Sequence, residues 1–419
     1  MGTGVMIGAG IFALTGQIAE MAGPLFPLSF ILGAVVTAFA AYSYIKMSNA
    51  WPSAGGIAMI LQKAYGPGTI AAAASVLMAL SMVINESLVA RTFATYALRP
   101  FGLQANGLLV PLLGVGLICF AYLMNISGNR SIGLFSLVMS ALKIGGIALF
   151  AIAALWAGGL GAGALAEPVN DVSPVGFVAS AAFAILAFKG FTTITNSGAE
   201  IVDPHRNVGR TIMIAIAICV VTYLLVAIAV GSSLSLEGII ASRDYSLAAA
   251  AEPALGKYGF YFTVVLAMVA TSSGVIASVF AVSRMLTMLT EMKLIPHSHL
   301  GMSGPIRRHV LVYTVLIAGA LTVLFDLGRI AALGAFFYLV MDMLVHWGVF
   351  HHVRREVGAR AWVLLCALGF DAVVLAALGT AKLRSDPMVV LYAVIGMVIV
   401  FAFEHLWLRR TSGDDRAFS

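Results

Sequence analysis

The sequence predicts an all-α integral membrane protein with twelve transmembrane helices. They form a five-plus-five inverted-repeat core with broken helices 1 and 6, followed by two peripheral helices. Three observations carry this reading. Apolar residues make up 61% of the 419-residue chain and charged residues only 10%, against roughly 25% charged in a soluble domain. Uncharged stretches recur at the roughly 20-residue length that spans a bilayer. Two of the spans carry glycine interruptions at corresponding places.

Taken in order, the spans centre near residues 10, 35, 82, 115, 144, 187, 221, 273, 317, 341, 371 and 397. The first holds Gly2, Gly4, Gly8 and Gly10, so its helix is expected to break at Gly8 to Gly10. A break there leaves a short first half-helix, and an apolar extension upstream of Met1 is expected. No basic n-region or cleavage pattern precedes the next span, so the first helix is expected to stay in the fold. Asn49 to Pro67 is polar, aromatic and glycine-rich and reads as a short interfacial segment. After the fifth span comes a Gly/Ala/Pro linker, Gly158 to Pro174, and the sixth span is then interrupted at Lys189-Gly190. A charged connection, Glu200 to Arg210, follows, and the loop Ser232 to Lys257 is expected to hold a small helix over Ser246 to Ala251. The chain is thus one transporter-like membrane domain: a first group over 1–157, a second over 175–355 and the peripheral pair over 361–408. Five is odd, so the second group runs inverted and sets the two broken helices face to face at the midplane.

The net charge of +6 does not point to nucleic acid, because the basic residues form short clusters between spans. With the N-terminus inside, the cytoplasmic face collects Lys46, Lys63, Arg206, Arg210, Arg284, Arg307, Arg308, Arg354 and Arg355, among others. The outer face keeps Arg99, Arg243, Lys257, Arg329, Lys382 and Arg384. The positive-inside rule then puts both termini in the cytoplasm, with a bacterial plasma membrane as the expected location. Cys119, Cys219 and Cys366 fall within apolar spans and read as small hydrophobes. No metal site and no cofactor are expected.

Two half-sites face each other in this reading. The amides of Gly8, Ala9 and Gly10, within Ile7 to Ile11, would sit at a half-helix N-terminus and favour an anion such as a carboxylate. The alternative is close helix packing through Gly4 and Gly8. Opposite, the carbonyls of Leu186, Ala187 and Lys189, freed by the turn at Gly190 and Phe191, could accept from an ammonium. Six charges lie at membrane depth: Glu86, Arg91, Lys143, Lys189, Asp342 and Asp371. Glu86 and Arg91 are five apart and meet different helices. Lys189 is expected either to attract a second substrate carboxylate or to pair with Glu86 or Asp342. His346, His351 and His352 lie beside Arg354 and Arg355 and read as a wet interfacial face, as does Glu404-His405.

Four strings carry a family resemblance. Gly8-Ala9-Gly10-Ile11-Phe12 and Phe188-Lys189-Gly190-Phe191 match paired helix-break motifs. Glu200, Asp203, Pro204, Arg206 and Arg210 follow a signature after the sixth span, with Gly209 where proline is common. Ser283-Arg284 through Leu294-Ile295-Pro296 match the end of the eighth. The chain resembles the amino acid-polyamine-organocation (APC) permeases from Gly2 to about Arg410. The resemblance implies secondary transport of an amino acid or related amine-bearing solute by alternating access. It also implies that an aromatic, Phe183 or Phe188, closes over the site. It places Lys143 where a sodium ion sits in sodium-coupled relatives, against the hydroxyls of Thr271, Ser272 or Ser273. Sodium-independent transport, proton-coupled or by exchange, follows, with Glu86 a second proton candidate.

The rival readings are a sodium symporter of the same fold, a channel and an intramembrane enzyme. A channel needs a continuous polar pore, whereas the midplane charges here are few and balanced. An enzyme needs a positioned nucleophile and base, and none is apparent at membrane depth. The expected partners are a small-molecule substrate and membrane lipid; the sequence leaves substrate identity and oligomeric state open.

Overall fold

The computed structural model describes residues 2–53, 55–126, 129–159, 163–168, 172–196, 198, 201–295 and 305–417. The expectations for Glu200 and Pro296 lie outside them. Every regular element among the described residues is helical. Ten stretches among the described residues are long and apolar enough to cross a membrane, one of them, Gly10–Ala50, containing two helices, and Ala141–Ala157 is a shorter apolar helix.

Chain punctuation explains the boundaries. Helix α1 (Gly2–Ala22) stops at Gly23, which adopts φ 59°, and Pro24 opens the 3-10 turn that leads into α2 (Phe26–Ala50). The interfacial segment is a helix, α3 (Gly56–Tyr65), closed by Gly66 and Pro67. Helix α4 (Thr69–Leu98) ends ahead of Pro100, and Asn106 Oδ1 then caps α5 (Leu109–Ile126) by accepting from the amides of Leu108 and Leu109. Helix α6 (Asn129–Gly158) completes the first group.

Ser173 caps α7 (Pro174–Phe188), which tightens into a 3-10 turn over Lys189–Phe191 and resumes as the single-turn α8 (Thr192–Thr195). Asp203 and Pro204 start α9 (Pro204–Ser233), and Ser235 caps the small α10 (Leu236–Ala241). The expected helix over Ser246 to Ala251 is the start of α11 (Ser246–Glu291), which is kinked at Gly256, where φ is 67°. Helices α12 (Ile306–Leu324), α13 (Leu327–Gly348), α14 (Ala361–Ser385) and α15 (Pro387–Ala417) follow; α13 runs on into a wide π-helical turn over Val349–Val353.

Two expectations need correction. Helix α1 passes through Gly8–Gly10 without interruption. Glycine costs a helix about 1 kcal/mol relative to alanine, whereas each backbone group left unpaired in an apolar setting costs several. The cheaper outcome is a continuous helix that uses its glycines for close packing. Gly10 lies so near α7 that an added Cβ would come within 2.9 Å of the Ala187 Cα. Second, α14 is not confined to the periphery, since it packs on α7, α13 and α2.

Helix α1 lies against α7, α11, α6 and α9, while α4 lies between α11 and α13. The core is apolar and continuous across these helices. The interruption between α7 and α8 falls where α1, α4 and α11 converge.

Candidate functional site

A cavity opens beside that interruption. It is walled by Gly10 of α1, Met82, Asn85 and Val89 of α4, Leu186, Ala187, Lys189 and Gly190 around the α7 turn, Thr192 and Thr193 of α8, and Gly274 and Ser278 of α11. The centres of water-sized molecules have about 40 Å³ to occupy, room for about three waters at ~10–15 Å³ each. The lining mixes an amide, three hydroxyls and small apolar groups. It can therefore orient a small polar solute.

Of the residues named from the sequence, Gly10, Leu186, Ala187, Lys189 and Gly190 reach this cavity. Ile7, Ile11, Phe183, Phe188 and Phe191 are buried in the surrounding core instead. Phe188 packs on Tyr223 with 5.0 Å between ring centroids, and Phe183 lies under the Lys382 ammonium at 5.7 Å. Neither phenyl ring is in the lining, so neither closes over the cavity in this conformation. In the continuous α1, Gly8, Ala9 and Gly10 are interior helical residues, so their amides are spent within the helix and no half-helix N-terminus exists there.

The freed carbonyls of the turn also have partners. The Tyr223 hydroxyl of α9 reaches Ala187 O at 3.2 Å and donates a short bond to Met6 O of α1, tying both helices to α9. Lys189 O accepts from Thr192 Oγ1 at 2.9 Å. Carbonyls released in an apolar interior recruit neighbouring hydroxyls.

Lys189 is fixed by α4. Its ammonium donates to Ser81 O at 2.8 Å and to Ser81 Oγ at 2.7 Å, and lies 5.5 Å over the Tyr338 ring. Two of its three donors are thus used. Glu86 is fully buried behind the cavity wall, where Ser278 Oγ donates to its Oε1 at 3.2 Å and where it lies within Coulombic reach of Lys189. Arg91 turns to α12 and donates to Thr322 O at 2.6 Å, so the two charges meet different helices as their spacing predicts.

Lys143 is buried on α6, which packs against α1, α9 and α11. On α11, Thr271 Oγ1 donates to Ala267 O at 2.6 Å and Ser273 Oγ to Ala270 O at 3.1 Å; Ser272 is half-buried.

His346 departs most from the sequence reading. His351 and His352 are exposed, but His346 is fully buried between Asp342 and Asp371 rather than on a wet face. Glu404 is likewise buried, at 1% exposure. The spacing of Asp342 and His346, one turn apart on one helix face, was the available signal. Asp371 is marked in the sequence only as a charge at membrane depth, and since it comes from another helix nothing ties it to His346. Asn85, Thr193 and Ser278 were also missed, because each sits in an apolar span with nothing local to mark it.

Comparison with known proteins follows the same line. A family described as amino acid permease matches residues 1–403. An uncharacterized protein of Methanocaldococcus jannaschii is 33% identical over 67% of this chain and 64% of its own length. The inner membrane transport protein YbaT of Escherichia coli is 26% identical over 87% of this chain and 84% of its own. The branched-chain amino acid permease BcaP of Lactococcus lactis is 25% identical over 53% and 52%. The chain thus spans less than two thirds of the Methanocaldococcus relative and about half of the lactococcal one.

Proposed function

The chain belongs to the amino acid permease family, a transporter family rather than an enzyme family, and from that premise we propose that it carries a small amino acid or related amine-bearing solute by alternating access. The observation that carries the proposal is the polar cavity between Gly10 and the α7–α8 turn, where an interrupted helix, a hydroxyl- and amide-bearing wall and buried charges meet. Asn85, Thr192, Thr193 and Ser278 supply donors and acceptors for the two polar ends of an amino acid. Gly10 and Gly190 let α1 and the α7 turn pack closely beside the cavity.

Twelve crossings in the five-plus-five inverted arrangement, with both termini in the cytoplasm of a bacterial plasma membrane, fit the helix order and the distribution of basic residues. Lys143, buried on a helix that touches α1 and α11, replaces a coupling cation in this reading and makes transport independent of sodium. Glu86 carries the coupled proton or the charge change of exchange. Lys189, held by Ser81 and Tyr338, anchors the turn to α4 and α13 rather than offering its charge to substrate.

The test is uptake of a labelled amino acid panel into proteoliposomes without sodium, with and without an inward proton gradient, for wild type and Lys143→Ala. Sodium-free uptake that rises with the gradient and fails in Lys143→Ala is the expected result. Dependence on sodium, or indifference to Lys143, refutes the coupling assignment, and absence of uptake for every amine-bearing solute refutes the substrate class.

A further inference from the structure

Behind the α8 turn, away from the cavity, α2, α13 and α14 bury a constellation that the transport reading does not use. Asp342 and His346 face inward from α13, Asp371 from α14, and all three are 0% exposed. One ligand atom from each lies within 4.8 Å of the other two. His346 Nε2 is 3.6 Å from Asp342 Oδ1 and 3.2 Å from Asp371 Oδ2. Around a four-coordinate zinc ion, with metal–ligand bonds of about 2.0–2.2 Å, neighbouring ligand atoms are separated by about 3.3–3.5 Å. The observed spacings bracket that value.

The orientation of the side chains fits the same reading. His346 Nε2, both oxygens of Asp371 and Asp342 Oδ2 are buried without a hydrogen-bond partner, although polar atoms are close by. These four enclosed atoms thus retain unfilled coordinating capacity within a few ångströms of one another. On the far side of the ring, His346 Nδ1 is 2.8 Å from Ser43 Oγ. A proton on Nδ1 donated to Ser43 would leave Nε2 free to ligate, the outer-shell arrangement typical of metal-bound histidine. Tyr44 donates to Asp342 Oδ1 at 2.5 Å and orients that carboxylate in turn.

Charge gives the third argument. Among the described residues, the salt-bridge contacts of Asp342 and Asp371 are to His346. Two carboxylates around a neutral imidazole carry two negative charges in a fully enclosed site, and an enclosed charge is costly unless balanced. One divalent cation neutralises the set. The mixed oxygen and imidazole donors suit a first-row transition ion better than magnesium or calcium, which take oxygen ligands.

We infer that Asp342, His346 and Asp371 form a divalent transition-metal site, zinc-like in its donor set, that staples α14 to α13 behind the interrupted helix. The mechanical link is short: Phe191, which ends the α7 turn, packs edge-on against Tyr44 with 5.3 Å between ring centroids. Because the site is enclosed, the ion enters during folding and exchanges slowly.

The experiment measures metal content, so it stands apart from transport. Tag-free protein is purified from zinc-supplemented cells without a metal-affinity column, and bound metal is determined by plasma mass spectrometry. Wild type should retain about one equivalent. Asp371→Asn and His346→Gln should fall to background, and Ser43→Ala should lose affinity by about ten- to a hundredfold. A double variant, His351→Asn with His352→Asn, should keep its metal. Less than about a tenth of an equivalent in wild type overturns the inference, and the cluster then balances its charge with protons. So does metal that vanishes with the exposed pair while surviving Asp371→Asn. The wild-type result decides the matter even if a ligand variant fails to fold.

Discussion

Replacing Gly10 by alanine tests the close approach on which the cavity wall depends. The added methyl carbon would lie 2.9 Å from the Ala187 Cα and 3.0 Å from its Cβ. Optimal carbon–carbon separation is about 3.5–4.0 Å, so α1 and α7 must part by roughly 0.5–1 Å. Neither contact is the far end of a flexible side chain; one is backbone and the other is bonded to it. Overpacking of this kind costs about 1–3 kcal/mol, and the better helix propensity of alanine returns up to about 1 kcal/mol. The net loss is about 0–3 kcal/mol, which leaves the protein folded but with one cavity wall displaced. Gly116 on α5 serves as the control, because a Cβ there meets nothing within 4 Å. Gly116→Ala should be neutral or stabilising by up to about 1 kcal/mol. Denaturation in detergent gives the stability term and proteoliposome uptake the functional one. Gly10→Ala should lower uptake by about tenfold or more with at most a modest stability loss, the equivalent of about 1.4 kcal/mol in solute affinity. If Gly10→Ala transports and melts like Gly116→Ala, Gly10 is not a wall of the site.

Three further outcomes follow from particular bonds. Tyr223→Phe removes the hydroxyl that ties Met6 O and Ala187 O and should cost about 0.5–1.5 kcal/mol in equilibrium unfolding; unchanged stability and uptake would mean that the tie is idle. Lys189→Met removes both donors to Ser81 and the cation within reach of Glu86, so uptake should be abolished in protein that still folds, and wild-type uptake would refute the anchoring role. Arg329 binds Asp386 through bonds of 2.6 and 3.2 Å and holds that carboxyl below its ordinary range. A lowered folded value stabilises fully above the unfolded pKa of about 3.9, and this stabilisation is lost as pH falls through the folded value. The melting difference between wild type and Asp386→Asn should therefore be constant above about pH 5 and shrink toward pH 3; a difference that persists at pH 3 contradicts the assignment.

The spans were legible because lipid imposes length and apolarity on every crossing, and Pro and Gly mark most of the ends. The turn at Lys189-Gly190 was legible for a similar reason. A lysine and a glycine together at mid-depth in an apolar run are hard to place in an ordinary helix. The same logic failed at Gly8 and Gly10, where glycines that permit a break instead permit contact with Ala187. Local sequence does not distinguish these uses; the neighbour on α7 does. His346 was misread because its two exposed neighbours in sequence, His351 and His352, lie on a different face of the helix. The cavity wall contributed by α4 and α11 was invisible because Asn85 and Ser278 become neighbours only through tertiary packing.

At the end of the bundle where α1 finishes, Arg243 pairs with Glu20, Gln17 Nε2 donates to Asp244 at 2.7 Å, and Arg329 pairs with Asp386. Lys382 stands within Coulombic reach of Glu20, Asp326 and Asp386. Charged pairs thus cluster at this end. Exposed pairs of this kind are each worth about 0–1 kcal/mol and weaken with salt, whose screening length is about 10 Å at 0.1 M. In the alternating-access cycle proposed above, opening at this end would part these pairs, and the medium bathing them would enter the energetics of that step. Raising ionic strength on that side alone should shift the resting population toward the state in which these pairs are parted.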